Sequence, residues 1–259
     1  MIYKTTARPQ VTEPSLPSET PAACPACHSG PVRAEAKDWP EPISTCWNYW
    51  IAVSTGDQLG VMKVLGLSAP RSITFAEAQE VIDADGHGEP DDRHHLSRVF
   101  VTPEVNGWTL VIGAWCDPCG NERHEDVLRS CKALSTRYGR AQAYYYGAQG
   151  DGSAWLVTEH GHVIRRYAAT GEPTDETFTL GDPLPLERSR LLELGVPVNG
   201  DLRTANSEQI EEWTWVAFDL APEIAAAYGV SPFTLTRETR VRGTGVLALT
   251  PVPAAGSTA

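Results

Sequence analysis

Residues 98–115, RVFVTPEVNGWTLVIGAW, constrain the fold more than any other stretch, because two β-branched apolar runs meet at Asn106-Gly107. Asn-Gly between strand-like runs predicts a type I′ hairpin, whose two central positions both need positive φ. Alternation along the runs places Val99, Val101, Leu110 and Ile112 on one buried face and Thr102, Thr109 and Val111 on the other. A hairpin this apolar belongs inside a packed sheet.

The flanking sequence supplies further elements. Trp47 to Ser54 (WNYWIAVS) reads as a strand dense in aromatic and β-branched residues. Thr55 or Asp57 then caps a helix carrying Leu59, Met62 and Leu65 on one face, with Gly66 as its αL stop. Thr74 and Glu77 stand in capping-box spacing before a second helix, Thr74 to Asp83, that buries Ala76, Val81 and Ile82. The run DADGHGEPDD after it reads as loop.

Beyond the hairpin, Val127, Leu128, Cys131, Leu134 and Tyr138 form one stripe of a helix from Glu122 to Tyr138 that Gly139 closes. AQAYYYGAQ, SAWLVTE and HVIRRYA, separated by a GDG turn and by His160-Gly161, predict a three-stranded antiparallel meander. A short helix is expected around Leu186 to Leu194. Helical segments from Ser207 to Trp215 and from Ala221 to Tyr228 follow, with Pro222 in a first turn and Gly229 at the end. The order strand, helix, strand, strand, helix, strand defines an α+β fold with a ferredoxin-like βαββαβ core, extended by the meander and a C-terminal helical segment. A Pro- and Ser-rich tail over 1–43, one domain over 44–250 and a loose tail over 251–259 complete the expected organisation.

The 259 residues are 41% hydrophobic, enough for one substantial core. A net charge of −12 opposes the counterion-releasing attraction on which nucleic-acid and anionic-membrane binding depends, so neither is an expected partner. The N-terminal stretch lacks the charged-then-apolar pattern of a secretory signal, and no window is long enough for a membrane span, which points to the cytoplasm. Six cysteines are too few for a disulfide scaffold in a chain of this length.

Two cysteine pairs invite chemistry. Trp115-Cys116-Asp117-Pro118-Cys119, between a predicted strand and a predicted helix, resembles the dithiol of thioredoxins, where a helix N-terminus lowers the pKa of the first thiol. The strands that follow lack the proline loop which packs on that dithiol in the family, and Gly120-Asn121 adds turn residues where its helix begins. Cys24-Pro25-Ala26-Cys27-His28 matches a haem-attachment pattern without an export signal. Cys24 and Cys27 together with Cys116 and Cys119 would make a four-thiolate zinc set, although the gap far exceeds ribbon spacing. Asp83, Asp85 and Gly88 start like a calcium loop, but His87 and His94 stand where oxygen ligands are needed. Ala221 to Thr236 has the first half of a helix-turn-helix, followed by a segment weakened by Pro232. The chain has no GxSxG, no GxxxxGK[ST] and no GxGxxG after a strand. Trp47, Trp50, Tyr144, Tyr145, Tyr146 and Trp155 are either groove-lining or core residues, and strand alternation favours the core.

Phe100-Val-Thr-Pro103, Gly107-Trp108, Leu110-Val-Ile-Gly113 and Val230-Ser231-Pro232 resemble the wording of a group of bacterial proteins of unknown function, over roughly Trp47 to Leu249. The CDPC dithiol is not part of that group's pattern, and the resemblance implies no activity. The expectation is a cytoplasmic, non-catalytic interaction module without a cofactor, binding an unidentified protein partner in an immunity-like or accessory role. The alternative is a thiol-disulfide oxidoreductase using Cys116 and Cys119.

Overall fold

A computed structural model describes residues 39–87, 93–173, 175–196 and 202–251. The proposed tail therefore lies largely outside the described residues, as do Cys24, Cys27 and the end of the chain. Order begins before residue 44: Ile43 is buried, and its N–H donates to Pro232 O at 3.2 Å.

The described chain is α+β, with six α-helices and a large antiparallel sheet. Its strands are β1 (Trp47–Val53), β2 (Ser68–Ser72), β3 (Arg98–Val101), β4 (Glu104–Val105), β5 (Thr109–Ile112), β6 (Arg140–Gly147), β7 (Ser153–Glu159), β8 (His162–Ala169), β9 (Val241–Arg242) and β10 (Val246–Leu249). Eight of them form one sheet in the order β2-β10-β3-β5-β1-β6-β7-β8, and β4 pairs separately with β9. The helices are α1 (Gln58–Leu65), α2 (Phe75–Gly86), α3 (His124–Tyr138), α4 (Pro185–Glu193), α5 (Ser207–Phe218) and α6 (Ala221–Tyr228).

The central strands of the sheet are buried on both faces, which is why they carry so few polar residues. Along β1, Ile51 and Val53 join the core beneath α1 and α3, whereas Trp50 and Ala52 join the core beneath α2, α4, α5 and α6. α3 presents the expected stripe of Val127, Cys131 and Leu134. α2 has the full capping box, with Thr74 accepting from Glu77 N and the Glu77 carboxylate accepting from Thr74 N. Gly66 closes α1 at φ 69°.

The hairpin turn forms as its sequence requires, with Asn106 at φ 51°, Gly107 at φ 88° and reciprocal hydrogen bonds between Val105 and Trp108. Its register differs from simple alternation. Phe100 faces Ile112 and Val101 faces Val111, so Val99, Val101 and Val111 share one face while Phe100, Leu110 and Ile112 share the other. The cause is local to Thr102. Its Oγ1 accepts from Leu110 N at 2.9 Å, and its carbonyl turns to the Gln58 amide, also at 2.9 Å. Pro103 then has no N–H to restore the ladder.

Other expectations are corrected by packing. Leu59 is 72% exposed, and α1 buries Val61, Met62 and Leu65 instead. α2 buries Phe75, Ala78 and Ile82 and exposes Ala76. It also runs on to Gly86, so the start of the DADGHG segment is helix, not loop. After α6 the chain makes only a short 3-10 turn at Pro232–Thr234, where a helix-turn-helix would need its second helix. β2 and β10 were not anticipated.

The two edges of the large sheet differ. β2 is exposed throughout and contains Pro70, while Ala69 has φ 47° and the pairing with β10 shifts register between Leu247 and Leu249. At the opposite edge, the backbones of Arg166 in β8 and Leu180 exchange two hydrogen bonds of 2.9 Å. No helix among the described residues is long and apolar enough to cross a membrane.

Candidate functional site

On the face covered by α1 and α3, one end of the sheet stays uncovered because α3 begins only at His124. A row of side chains crosses four strands there: Tyr49 of β1 faces Tyr145 of β6, Tyr145 faces Ala154 of β7, and Ala154 faces Ala168 of β8. The two tyrosine rings stack at 5.0 Å and 23°. The two alanines leave space above the sheet, and Phe178 from the turn Asp175–Phe178 packs into it. What remains is an open cleft of about 780 Å³ between this aromatic floor, the Cys116–Asn121 connection and the turns following β6 and β8.

The rim is acidic. Asp117 Oδ1 accepts from the backbone of Cys119 and of Gly120, each at 2.9 Å, which pins the turn after β5. Asp175 does the same for the turn after β8, accepting from Thr170 N, Thr170 Oγ1 and Gly171 N at 2.7–3.0 Å. Asp151 Oδ2 accepts from the Trp47 indole at 3.0 Å, holding a ring that is 40% exposed. Glu172 completes a set of four carboxylates, and no Lys, Arg or His is among the described residues lining the cleft. The β6–β7 turn that carries Asp151 depends on Gly152: at φ 85°, a Cβ there would meet Ala169 O at 2.1 Å.

This environment disfavours negative charge. Burial first, then the field of Asp117, Tyr145, Cys119 and Asp151, pushes the Tyr49 hydroxyl far above its ordinary pKa. Tyr145 moves the same way through burial, Cys119, Asp151 and Asp117.

The CDPC pair divides between core and cleft. Cys116 is wholly buried at the end of a short 3-10 turn, and its Sγ–H donates to Val111 O at 3.3 Å. Burial pushes its pKa up to about 12, against a smaller opposing effect of Arg123. Cys119 is half-buried beside the cleft, and burial, Asp117 and Asp175 raise its thiol as well, while Arg166 opposes them. A reactive dithiol needs an accessible, stabilised thiolate, and this turn provides burial and carboxylates instead. Seven residues separate Cys116 from the start of α3 at His124, so the first thiol is not in the first turn of the helix as it is in the thioredoxin arrangement. Among the described residues, no group of three or more His, Cys, Asp or Glu side chains is placed to hold a metal ion.

The other motifs have structural partners. Asp85 holds Arg98 through two hydrogen bonds of 2.6 and 2.7 Å, and His87 Nδ1 lies 2.8 Å from Asp83 O. Trp50, Tyr144 and Trp155 are core residues, whereas Trp47 and Tyr145 line the cleft. Sequence reasoning named these two aromatics but missed Asp151, Glu172, Asp175 and Phe178. The turn residues around Gly150-Asp151-Gly152 and Gly171-Glu172 were visible; their convergence depends on β6, β7 and β8 ending together. No family model, curated protein or solved structure matches this chain.

Proposed function

We propose that this chain is a non-catalytic module that docks a protein partner in the cleft at the end of β1, β6 and β8. The observation carrying this reading is the shape and lining of the cleft: a stacked aromatic floor with an exposed Trp47 beside it, fixed by hydrogen-bonded turns. Aromatic side chains held in place lose little entropy on contact, and such anchors dominate protein interfaces. The strand order β3-β5-β1-β6, with α1 and α3 on one face, supports a ferredoxin-like reading of the central four strands. An immunity-like or accessory role in the cytoplasm accords with the acidic surface.

Site-specific photo-crosslinking tests this reading. A cross-linker at Asn121, an exposed residue of the cleft lining, should capture one discrete protein, whereas the same group at Leu59, which is exposed on α1, should not. Equal yields from both positions would remove the cleft from the interface. Reduction of insulin disulfides, with turnover abolished by Cys116→Ser, would replace the module with an oxidoreductase.

A further inference from the structure

We infer that the occupant of the cleft is an arginine-bearing segment of the partner, with a guanidinium seated between the aromatic floor and the carboxylate rim. The inference rests on the docking reading above and adds the chemistry of the ligand.

Two independent features meet in one cavity. The first is aromatic: Tyr49 and Tyr145 are stacked, the Trp47 ring is partly open to solvent, and Phe178 closes the side. Planar guanidinium groups stack on such rings and are attracted by their π faces. The second is charge. Asp117, Asp151, Glu172 and Asp175 surround the same space, and among the described residues that line it there is no Lys, Arg or His to neutralise them.

The neighbouring guanidinium groups are held at the margin of the cleft by contacts other than its carboxylates. Arg166 stacks on Phe178 at 4.3 Å and donates to Pro118 O at 3.3 Å, and Arg123 donates to Trp115 O and pairs with Asp126. Burial raises the Tyr49, Tyr145 and Cys119 groups first, and Asp117 and its neighbouring carboxylates add to it, with Arg166 opposing them at Cys119.

The carboxylates divide by role. Both oxygens of Asp175 and one of Asp117 are occupied by the turns they hold. Asp151 likewise uses one oxygen for Trp47, and the Glu172 side chain has no hydrogen-bond partner among the described residues. Glu172 is therefore the carboxylate with both oxygens open to the fork of an arginine, and Asp151 and Asp117 each keep one oxygen for a single bond to it. A membrane surface or nucleic acid would meet the wrong sign of charge here.

The test is calorimetric titration of the full chain with three synthetic nonapeptides of equal length, rich in arginine, lysine or glutamate, and with a neutral oligosaccharide. The arginine peptide should saturate one site, more tightly than its lysine counterpart, and weaken as salt is raised. Glu172→Gln and Asp151→Asn should each weaken it about fivefold, the scale of a partly exposed ion pair. Glu211→Gln on the outer face of α5 removes the same charge and should change nothing. Unaltered thermal unfolding of each variant establishes that the fold is kept.

Equal weakening by Glu211→Gln would show attraction to net charge alone and overturn the inference. Binding of the oligosaccharide but not of the arginine peptide would overturn it as well, while leaving the cleft as a docking site. The same holds if no peptide binds and the Asn121 cross-link still captures a partner. Failure of that cross-link removes the docking reading itself.

Discussion

Beneath α1 and α3 the strands contribute Ile51, Val53, Val99, Val101, Val111, Ala141 and Ala143, and the helices answer with Val61, Met62, Leu65, Val127 and Leu134. Beneath α2, α4, α5 and α6 they contribute Trp50, Phe100, Tyr144, Trp155 and Tyr167, answered by Phe75 and Trp213. Side chains without polar atoms need only be packed, and two regular helices with short flanks suffice. Rings with N–H and O–H groups need partners as well. Trp213 Nε1 donates to Tyr167 OH at 2.7 Å, Tyr144 OH to Gln142 Oε1 at 3.0 Å, and Trp155 Nε1 to Glu187 Oε2 at 3.3 Å. Glu187 in turn holds Arg165, the two side chains being 0% and 3% exposed. On the aromatic face Trp155, Glu187, Arg165, Tyr167 and Trp213 are therefore joined in one network, while Trp50 Nε1 has no hydrogen-bond partner among the described residues; the aliphatic face is a sum of contacts.

The largest expected effect tests that network. Glu187→Ala leaves the Arg165 guanidinium buried without its carboxylate and should destabilise the fold by about 4 kcal/mol in urea unfolding. Replacing both residues, Arg165→Met with Glu187→Met, should cost much less than the single change. If the double variant is as unstable as Glu187→Ala, the network is not what distinguishes this face.

Leu134→Ala on the aliphatic face should cost about 3 kcal/mol, through lost transfer energy and a residual cavity. Combined with Glu187→Ala the two losses should add, because the sheet separates the sites. A coupling of more than about 1 kcal/mol in the double-mutant cycle would break the division into independent faces.

The smallest effect concerns Cys116. Its thiol is held neutral by the fold, with a pKa raised from 9.0 to about 12. The stability tied to the neutral form is complete below pH 9 and is lost as pH rises toward about 12. Iodoacetamide at pH 8 should label Cys116 only after denaturant is added. Rapid labelling of the folded chain would show that this thiol is reachable from the cleft.

Local signals in the sequence carried far because neighbouring residues satisfied them. Thr74 and Glu77 cap each other, Asn106 and Gly107 tolerate positive φ, and the α3 stripe has one face to bury. Signals that depend on distant chain were invisible. β2 reads SAPRS, without any alternation, and is a strand only because β10, some 175 residues later, pairs with it. The hairpin register turned on the Thr102 side chain replacing a backbone acceptor, a choice that Gln58 stabilises from another element. The cleft was half legible: CDPC and the aromatic run stood out, but three of its four carboxylates sit on turns whose proximity follows from sheet order.

The borders of the large sheet bear on how this chain shares a crowded volume with its own copies. An open strand border is a template for fibrous growth, and both borders here are closed to it by different means. At β2, Pro70 withholds a donor and Ala69, at φ 47°, interrupts the regular extended backbone that an incoming strand would pair with. At β8, Leu180 already occupies the position that a foreign backbone would take. Each border of the eight-stranded sheet thus carries a local obstacle, at Ala69-Pro70 and at Arg166, that a ninth strand would have to displace.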